Sequence, residues 1–596
     1  MQNVGFSSIK ITGGFWKQKQ DLIRRVTMPS VYDRFKETGR FDALKCLWVE
    51  GAEFKPHIFW DSDVAKWMEA AAYLTELEPD ENFERKVDEA VQDIANNQTE
   101  DGYFNSYYLT VEKGVRFQNR NNHELYCAGH LLEAAIAYHK ATGKRKVLDV
   151  MIKYIDYIYK VFYIEKSADF TTPGHEEIEL ALIKLYRYIG DKKYLDLAKY
   201  FIDMRGVNEE WEWGPKNFQS HMPVRQQTEA IGHAVRACYL YAAMADLAKE
   251  TDDKELKEAC DRLFESIINK KMHITGGIGT NHFGECFTYP YDIPNDETYN
   301  ETCASIALAL FSDSMQSIEP DSKYGDIIEK VLYNGFLSGI SLSGDHFFYT
   351  NPTEIDLKKH QREKKWYPIA SRVKVFDCSC CPPNIVRFVG SVARYLYSVD
   401  GNTVYCHQFM ESTADLTVNG KHATLIQQTS YPENGVVKFI YHGEPCTLKV
   451  RIPEWCIEFK GDRDEHGFAT YNLADGEAVT VELPMNVHFI EANPNVQDDS
   501  GRYAVMRGPI VYCLEGVDNG ENLRDIAIYE DNCFEVEWDD VLNLSVITAK
   551  ACRRERIDTL YRIKTANYID FTAKLIPYYA FANRGESDMI VWVQAK

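Results

Sequence analysis

The sequence predicts a multidomain α plus β protein, in which a helical toroid is followed by antiparallel β-sandwich modules. Three observations lead to this fold class. The chain has 596 residues, which is too long for a single hydrophobic core. Apolar residues recur with the period of a helix up to about residue 396. From there to the end, short segments show the alternation or the β-branching typical of strands.

The helical part consists of paired segments joined by tight turns. Each segment has apolar residues at i, i+3 and i+4, and Gly or Pro-Asp punctuates the turns, as at Gly190 and Pro320. The predicted pairs are 70–77 with 83–94, 130–139 with 147–152, 178–188 with 194–204, 228–249 with 256–268, and 304–317 with 324–336.

The first helices of these pairs are rich in Ala and nearly apolar all round, which indicates burial on every side. Five pairs are visible and the terminal segments could supply a sixth, so we predict a ring of inner helices surrounded by outer ones. A superhelical solenoid is the alternative, because spacing alone does not show that a ring closes. Long loops rich in Gly, Pro and aromatic residues favour the toroid, since they would build a pocket at one mouth.

The part after residue 396 is predicted to form short strands separated by turns such as Asn419-Gly420, which is typical of an antiparallel sandwich. The clearest strands are 403–409, 423–428, 436–441 and 447–452. We expect domains at 1–396, 397–501 and 502–596, and the last strand could return to the first sandwich.

Composition and charge exclude several classes of protein. Apolar residues make up 45% of the chain and charged residues 26%, as in a globular protein. The net charge of −23 argues against a nucleic-acid or anionic-membrane surface. No apolar run could span a bilayer and the N-terminus shows no secretory signal. The 15 cysteines suggest no disulfide framework, so we expect a cytoplasmic protein, although a chain that had lost a signal peptide would look the same.

The segment Cys378-Ser379-Cys380-Cys381-Pro382-Pro383-Asn384 is the strongest chemical signal. Adjacent thiols are hard to explain as core packing, and a metal ion is the usual reason to gather them. The prolines favour a break in the backbone that would let both sulfurs meet at one point. Upstream, Glu301-Thr302-Cys303 offers a carboxylate and another thiol. These residues predict a soft-metal site with at least one sulfur free to react.

A glycine-rich loop at 276–279 leads to Glu285. The loop lacks the spacing and the Lys-Ser/Thr of a phosphate-binding loop, so nucleotide binding is disfavoured. Glu285 stands among aromatic residues, and apolar surroundings raise the pKa of a carboxyl, as a general acid needs. An ordinary loop carboxylate is the alternative interpretation.

Three histidines share one position in the helical pattern, at or near the start of an inner helix: His123, His175 and His233. In a toroid these helix ends line the same mouth, where imidazoles would suit sugar hydroxyls or a metal ion. Each histidine alone is more often a satisfied core or capping residue. Nearby aromatic residues could form a stacking floor for a sugar or simply belong to the core; they are Trp60, Tyr103, Phe104, Phe348 and Tyr349.

With these motifs the chain resembles glycoside hydrolase family 127, the β-L-arabinofuranosidase family. The segments that carry the resemblance are 9–16, 123–126, 227–236, 276–279, 299–305, 378–384 and 507–513. They span nearly the whole chain, and the Glu-Thr-Cys and Cys-Cys-Pro-Pro-Asn motifs are highly specific in combination.

The resemblance implies an (α/α)6 barrel followed by β-sandwich modules, and a Zn²⁺ ion held by Glu301, Cys303, Cys380 and Cys381. It also implies that Cys380 is the nucleophile and Glu285 the general acid/base. The reaction would be the retaining release of terminal β-L-arabinofuranose from plant-derived glycans. The expected partner is a small oligosaccharide or glycoside, with no nucleic acid and no membrane, and a homodimer is possible.

The same resemblance implies that His123, His175, His233 and Tyr349 contact the sugar. Glu329, in another shared segment, is counted with them, either to support the site or only to support the fold. Three alternatives stay open at this point. The substrate could be another plant cell-wall sugar, such as a side chain of rhamnogalacturonan II. The protein could be a non-catalytic, zinc-stabilised carbohydrate-binding protein. A lyase or epimerase on the same toroid is the third alternative.

Overall fold

The computed structural model describes residues 1–207, 216–362, 369–375, 378–531, 533–564 and 567–596. Within these ranges, a helical region forms the N-terminal part and sheet-rich modules follow it. The protein is therefore a mixed helical and sheet multidomain protein, as the sequence predicts. Among the described helices, none has both the length and the apolar character needed to cross a membrane.

The helices of the described ranges differ widely in length. In chain order they are α1 (Gly14–Leu22), α2 (Met28–Glu37), α3 (Arg40–Ala43), α4 (Trp60–Leu77), α5 (Glu81–Asn97), α6 (Ser106–Thr110), α7 (Glu124–Thr142), α8 (Lys146–Ile158), α9 (Ile178–Ile189), α10 (Lys192–Met204), α11 (Ala234–Thr251), α12 (Lys254–Lys270), α13 (Thr302–Ile318), α14 (Ser322–Lys330), α15 (Leu357–Arg362), α16 (Cys381–Gly390) and α17 (Gly516–Asn519). The five pairs expected from the sequence correspond to α4/α5, α7/α8, α9/α10, α11/α12 and α13/α14.

Six of these helices pack successively around one axis. The contacts run from α4 to α7, α9, α11, α13 and α16, and α16 packs back against α4. The second helix of each pair lies against its own partner from outside. The sixth inner helix, α16, begins within the cysteine motif and has α2 from the N-terminal segment beside it.

Burial explains which helices lie inside. In α13 nearly every residue from Thr302 to Ser317 is buried, whereas α5 buries only one stripe that includes Phe83, Val87 and Ile94. Aspartates begin four outer helices, and each side chain accepts a hydrogen bond from a backbone N–H of the first turn. The capping residues are Asp80, Asp191, Asp253 and Asp321.

Several helices extend beyond their predicted bounds, and two differ from the prediction in local structure. The helix expected over 228–249 starts only at Ala234, because Gly232 and His233 form a short strand that pairs with Phe287 and Cys286. This local pairing places His233 next to the loop that carries Glu285. The helix expected over 324–336 is α14, which passes into a π-helical turn, Val331–Gly335, after Lys330.

The strands are short and begin at the N-terminus itself. They are β1 (Gln2–Asn3), β2 (Ile9–Ile11), β3 (Gly232–His233), β4 (Cys286–Phe287), β5 (Glu354–Ile355), β6 (Tyr397–Asp400), β7 (Thr403–Cys406), β8 (Ser412–Val418), β9 (Lys421–Thr429), β10 (Val436–His442), β11 (Cys446–Arg451), β12 (Phe468–Leu473), β13 (Ala478–Glu482), β14 (Val487–Glu491), β15 (Arg502–Arg507), β16 (Ile510–Glu515), β17 (Ile526–Ile528), β18 (Glu535–Asp539), β19 (Leu544–Arg554), β20 (Tyr568–Pro577), β21 (Met589–Ile590) and β22 (Val593–Ala595).

These strands form three larger sheets, with orders β1-β6-β7-β11-β12, β13-β10-β9-β8-β2 and β14-β15-β22-β17-β19-β20-β16-β21-β5. The N-terminal strands thus complete the middle sheets, and β5 from the helical part forms an edge of the third. Most strand pairs within the described ranges are antiparallel, as predicted, but β7 pairs parallel with β11 and β17 pairs parallel with β22.

The third sheet also includes segments that the sequence analysis assigned elsewhere. Strand β14 pairs with β15, although residues 487–491 were expected in the second module. The last strand, β22, pairs with β15 and β17 and so stays in the third sheet. Alternation of apolar residues identifies a strand, but the partner of that strand depends on contacts distant in sequence.

Candidate active site

A cavity of about 320 Å³ lies where the N-terminal ends of the inner helices meet. Its walls include four residues that directly precede inner helices: His123 before α7, His233 before α11, Glu301 before α13 and Cys380 before α16. Because equivalent ends of neighbouring helices meet at one mouth, residues up to 257 positions apart in sequence line one space. Helix N-termini also carry partial positive charge, which favours carboxylate and thiolate there.

The carboxylate of Glu301 and the thiols of Cys303, Cys380 and Cys381 form one cluster at the wall of this cavity. Cys303 Sγ lies 3.5 Å from both Cys380 Sγ and Cys381 Sγ, and the last two sulfurs are 3.7 Å apart. Glu301 Oε1 lies 3.3 Å from Cys380 Sγ and 3.9 Å from Cys381 Sγ. Four ligand atoms at such separations could hold a metal ion.

The electrostatics of the cluster favour a bound cation. Burial, together with the neighbouring sulfurs, raises the pKa of Glu301 and of Cys381 well above their ordinary values. Burial also opposes ionisation of Cys303, but hydrogen bonds from Cys380 and Cys381 outweigh it and lower the pKa of Cys303 to about 6. A divalent cation bound by these residues would favour their ionised forms.

The helix that carries the cysteines is anchored from the core by Arg387. Its guanidinium donates to Glu69 and Glu133, both at 2.8 Å, and to the hydroxyl of Tyr239 at 2.7 Å. Arg387 Nε also donates to Asn384 Oδ1 at 2.6 Å, within the cysteine motif itself. These bonds tie α16 to α4, α7 and α11, and they fix the end of the helix where Cys380 and Cys381 stand.

Glu285 faces the cluster from the loop that follows the glycine-rich segment. His233 Nε2 lies 2.6 Å from Glu285 Oε2, and the hydroxyl of Tyr299 donates to Glu285 Oε1 at 2.8 Å. The backbone N–H of Val235 donates to His233 Nδ1, so the ring proton of the neutral imidazole lies on Nε2 and points to Glu285. One ligand atom from each of Glu285, Glu301 and His233 lies close enough to the other two for these residues to hold a metal ion.

The expectation that apolar surroundings raise the pKa of Glu285 is wrong. Burial does act in that direction, but His233, the Tyr299 hydroxyl and the charge of Arg236 outweigh it and lower the pKa of Glu285 to about 2. The backbone φ of Glu285 is 54°, an uncommon value outside glycine that is found at functional sites. The free protein therefore holds Glu285 as an oriented carboxylate.

The three histidines predicted to share one mouth lie in a row. Ring centroids of His123 and His175 are 5.4 Å apart, and those of His175 and His233 are 5.6 Å apart. Burial and the charge of Arg236 hold the pKa of His123 and of His175 well below the ordinary value, so both rings are neutral. The carbonyl of Glu176 accepts from His175 Nδ1 at 3.0 Å, which leaves Nε2 as an acceptor.

Tyr349 also lines the cavity, with its hydroxyl 3.4 Å from Cys380 Sγ and 3.7 Å from Cys378 Sγ. The other aromatic residues proposed as a stacking floor do not line it. Tyr103, Phe104 and Phe348 are buried in the core, and Trp60 packs over the guanidinium of Arg40. Histidines, carboxylates and the Tyr349 hydroxyl nevertheless converge on the cavity, so it offers the placed polar groups that a small sugar needs.

Sequence reasoning missed Arg236, a functional candidate at the cavity. It stands one turn after His233 on α11, and its buried Nε and Nη1 have no hydrogen-bond partner among the residues that the structure describes. The signal was available, because residues three apart on a helix share a face. Asp63, also missed, lines the same cavity from α4.

Glu329 does not belong to this cavity. Its carboxylate accepts hydrogen bonds from Arg451 Nη2 at 2.7 Å, from the Tyr431 hydroxyl at 2.6 Å and from Trp455 Nε1 at 2.9 Å. The partners belong to the middle module, so Glu329 joins α14 to that module, and counting it with the sugar-binding residues was wrong. The local sequence around a carboxylate does not tell which part of the protein its side of the helix contacts.

We expect Glu329→Gln to lower the free energy of unfolding by about 3 kcal/mol, because it leaves buried Arg451 with less compensating charge. Activity per folded molecule should stay at the level of the unchanged protein. Calorimetric melting and kcat/KM of the same sample measure the two effects. The control is Glu444→Gln, in an exposed ion pair with Lys421, which should cost less than about 1 kcal/mol. An unchanged melting temperature together with lost activity would instead indicate that Glu329 belongs to the active site.

A larger cavity, of about 1180 Å³, lies between α15 and the third sheet. Charged side chains such as Arg524, Arg554 and Glu354 line it, and none of the predicted site residues does. Size therefore does not identify the active site here. The smaller cavity has the convergent titratable groups that catalysis needs.

Comparison with known proteins agrees with this geometry. The model of the β-L-arabinofuranosidase GH127 catalytic domain matches residues 8–394, the GH127 middle-domain model matches 403–485, and the glycoside hydrolase family 127 C-terminal-domain model matches 487–594. A non-reducing end β-L-arabinofuranosidase of Bifidobacterium longum is 33% identical over 98% of this chain and 99% of its own length.

Solved structures give the same result. A GH127 β-L-arabinofuranosidase from Geobacillus stearothermophilus T6 superposes with a TM-score of 0.94 at 39% identity, covering 99% of this chain and 100% of that one. A GH127 β-arabinofuranosidase superposes with a TM-score of 0.90 at 35% identity, covering 100% of this chain and 98% of that one. Family models and relatives both extend over nearly all of the sequence, so the chain belongs to glycoside hydrolase family 127 and is a glycoside hydrolase.

Proposed function

We propose that this enzyme releases terminal β-L-arabinofuranose from plant-derived glycans with retention of configuration, using zinc-bound Cys380 as nucleophile and Glu285 as general acid/base. The observation that carries the proposal is the meeting of Glu301, Cys303, Cys380 and Cys381 at the wall of the cavity that Glu285 faces. The names of the B. longum and G. stearothermophilus relatives support the choice of sugar.

The donor set fits zinc. A tetrahedral Zn²⁺ with Zn–S near 2.3 Å and Zn–O near 2.0 Å would require sulfurs about 3.8 Å apart and sulfur–oxygen separations of about 3.5 Å. The sulfur separations of 3.5–3.7 Å and the Glu301 oxygen separations of 3.3 and 3.9 Å lie close to these values. When bound, zinc would keep the cysteine sulfurs deprotonated at neutral pH.

In the first step, Cys380 Sγ attacks the anomeric carbon while Glu285 gives a proton to the glycosidic oxygen. The carbon–oxygen bond breaks as the carbon–sulfur bond forms, and the leaving group departs as an alcohol. Cys303, Cys378 and Cys380 all line the cavity, but Cys303 is buried and Cys378 lies outside the ligand set. Cys380 is both partly open and a member of the ligand set, which supports it as the attacking sulfur.

In the second step, Glu285 accepts a proton from water, and the water oxygen attacks the anomeric carbon. The carbon–sulfur bond breaks with its electron pair on the sulfur, and two inversions give net retention. The low pKa of Glu285 keeps the carboxyl ionised at neutral pH, which is the form that accepts the proton. For the first step the carboxyl must take up a proton before the glycoside fills the cavity, and His233 beside it provides the hydrogen bond that orients it.

The sugar would lie against the row of His123, His175 and His233, with Tyr349 near its reacting end and Arg236 as a further donor. Neutral imidazoles can donate or accept, and sugar hydroxyls do both, so such a wall matches a sugar without burying net charge. This assignment of the sugar-binding residues is part of the proposal.

The six-helix ring with its outer helices supports an (α/α)6 barrel for the catalytic domain, residues 1–396. For the modules that follow, pairing of β14 with β15 supports moving the boundary near residue 501 to about 486, and the family models divide the chain there too. All 15 cysteines carry free thiols, which favours a reducing compartment such as the cytoplasm. A homodimer stays a prediction, which sedimentation would test.

A panel of aryl glycosides tests the proposed function. We expect hydrolysis of the β-L-arabinofuranoside and β-L-arabinose as the first product seen by NMR, before mutarotation. Activity on another pentoside or deoxyhexoside instead would favour a different cell-wall sugar. Binding of arabinose without turnover of any glycoside would favour a carbohydrate-binding protein.

Removal of the metal should abolish activity. After dialysis against a strong chelator we expect kcat/KM to fall roughly a hundredfold or more, since even the loss of groups around metal ligands costs 10- to 100-fold. Stoichiometric Zn²⁺ should restore it, and elemental analysis should find one zinc per chain. Cys303→Ser should lose the zinc, whereas Cys46→Ser, at a half-buried thiol outside the cavity, should keep it. Full activity in a zinc-free sample would contradict the proposal.

A further inference from the structure

Asp63 is a buried carboxylate at the cavity wall to which the mechanism above gives no role. It lies in the first turn of α4, its exposed fraction is 0%, and it lines the same space as His123 and Cys380. One oxygen, Oδ2, accepts a 3.1 Å hydrogen bond from Arg40 Nε. The other, Oδ1, has no hydrogen-bond partner within the described ranges. Buried polar atoms are nearly always hydrogen-bonded, so an unpartnered one beside a ligand cavity indicates that a partner arrives with the ligand.

Arg40 holds this carboxylate in a fixed orientation. The guanidinium is buried, donates to Thr38 Oγ1 at 2.7 Å, and packs over the rings of Phe35 and Trp60 at 5.0 and 5.2 Å. With Oδ2 tied to Arg40, rotation of the Asp63 carboxylate would break an existing bond. Oδ1 is therefore set in place before any ligand binds, which is how a specificity contact is built.

The polar character of Oδ1 restricts what can satisfy it. An ionised carboxylate only accepts hydrogen bonds, so its partner must be a donor. In the ring of helices, α4 and α11 stand on opposite sides, and Arg236 on α11 offers the complementary donors Nε and Nη1, also unpartnered. A molecule with hydroxyl groups can donate to Asp63 and accept from Arg236 at the same time. A sugar is such a molecule, and an apolar ligand is not.

We propose that Asp63 Oδ1 accepts a hydrogen bond from one hydroxyl of the terminal sugar and selects furanosides that carry this hydroxyl. The inference rests on the proposed function and adds to it a residue that decides which sugars are accepted. Sites built to hydrogen-bond a hydroxyl reject the analogue without it, because the buried protein group is then left unpaired.

The test combines one substitution with substrates that lack single hydroxyls. Wild type and Asp63→Asn are assayed on an aryl β-L-arabinofuranoside and on its 2-, 3- and 5-deoxy analogues. We expect Asp63→Asn to lower kcat/KM for the parent roughly 10- to 100-fold. Wild type should lose a similar factor on one of the three analogues. On that analogue the substitution should cost no more than about twofold, because the two changes remove the same bond.

Asp61→Asn is the matched control. Asp61 lies on the same helix, is equally buried and also has an unpartnered Oδ1, but its Oδ2 accepts from the backbone N–H of Ser106 and it does not line the cavity. We expect kcat/KM of this variant to match wild type on all four substrates. If Asp63→Asn alone folds poorly because Arg40 loses its partner, Arg40→Gln/Asp63→Asn removes both charges and should show the same hydroxyl-specific loss.

Asp63→Asn within about twofold of wild type on the parent, or an equal loss on the parent and on all three analogues, would overturn the inference. No turnover of the parent by wild type would instead overturn the proposed function. In that case L-arabinose binding, measured by calorimetry, tests whether Asp63 contacts the sugar. Binding at least tenfold weaker in Asp63→Asn supports the contact, and equal binding removes it.

Discussion

Replacing Cys380 with serine should lower kcat for an aryl β-L-arabinofuranoside by about 10⁴-fold or more, as loss of a covalent nucleophile does in other hydrolases. A serine hydroxyl at this position is a far weaker nucleophile than a thiolate and a poorer zinc ligand. The site retains Glu285 and the histidine row, so the sugar should still bind. The fold should persist, because Cys380 lies at the partly exposed N-terminal end of α16 and Arg387 anchors the helix from the core.

Two measurements separate the nucleophile from a mere ligand. A slowly hydrolysed glycoside should leave one glycosyl group on wild type, and peptide mapping should place it on Cys380. Cys303→Ser, which removes a buried ligand, should lose zinc and activity without moving the adduct site in any residual labelling. Cys46→Ser should turn over normally. Normal turnover by Cys380→Ser, or a glycosyl group on another residue, would contradict the mechanism.

Replacing Glu285 with glutamine should have the second large effect, about 10²- to 10⁴-fold on kcat/KM for glycosides with poor leaving groups. Glutamine keeps the shape of the side chain and still hydrogen-bonds to His233 and Tyr299, but it can neither give nor take the proton. Glycosides with acidic phenols need little protonation of the leaving group, so their first step should be spared. Their turnover should then be limited by attack of water, which lacks its base.

Azide distinguishes these roles, because it attacks the anomeric carbon without base assistance. Adding azide to Glu285→Gln should restore release of an acidic phenol and give a β-configured glycosyl azide, which reports retention. Glu297→Gln, at an exposed carboxylate paired with Lys359, should behave as wild type. Azide that leaves the Glu285→Gln rate unchanged, or an α-configured product, would remove Glu285 from the acid/base role.

The sequence indicated which residues come together at the cavity more reliably than it indicated their environment. The adjacent thiols at 380 and 381 were informative because core packing does not require them, and three histidines at equivalent helix starts implied one shared mouth. The pKa of Glu285 was predicted in the wrong direction, because its sequence neighbours are aromatic whereas its spatial neighbours are His233 and Tyr299. Contacts between residues 52 and 14 positions apart cannot be derived from local composition.

Glu329 and Asp63 both show that the sequence does not tell where a helical side chain ends up in space. Glu329 stood in a shared segment and was counted with the site, yet its side chain binds Arg451 of the middle module. Asp63 lies at the start of a helix in which the sequence showed no motif, yet it lines the cavity with an oxygen that has no partner among the described residues. Helical periodicity tells which residues share a face, but not what that face meets.

The sequence by itself determined the helical and strand-rich parts, the helical pairs and the residue types of the site, because periodicity and thiol spacing are local properties. Tertiary structure alone decided the successive packing of the inner helices, the joining of β1, β2 and β5 to distant sheets, and the protonation states around Glu285. Those outcomes depend on which helix ends come together in space, and burial and charge act over a few ångströms whatever the separation along the chain.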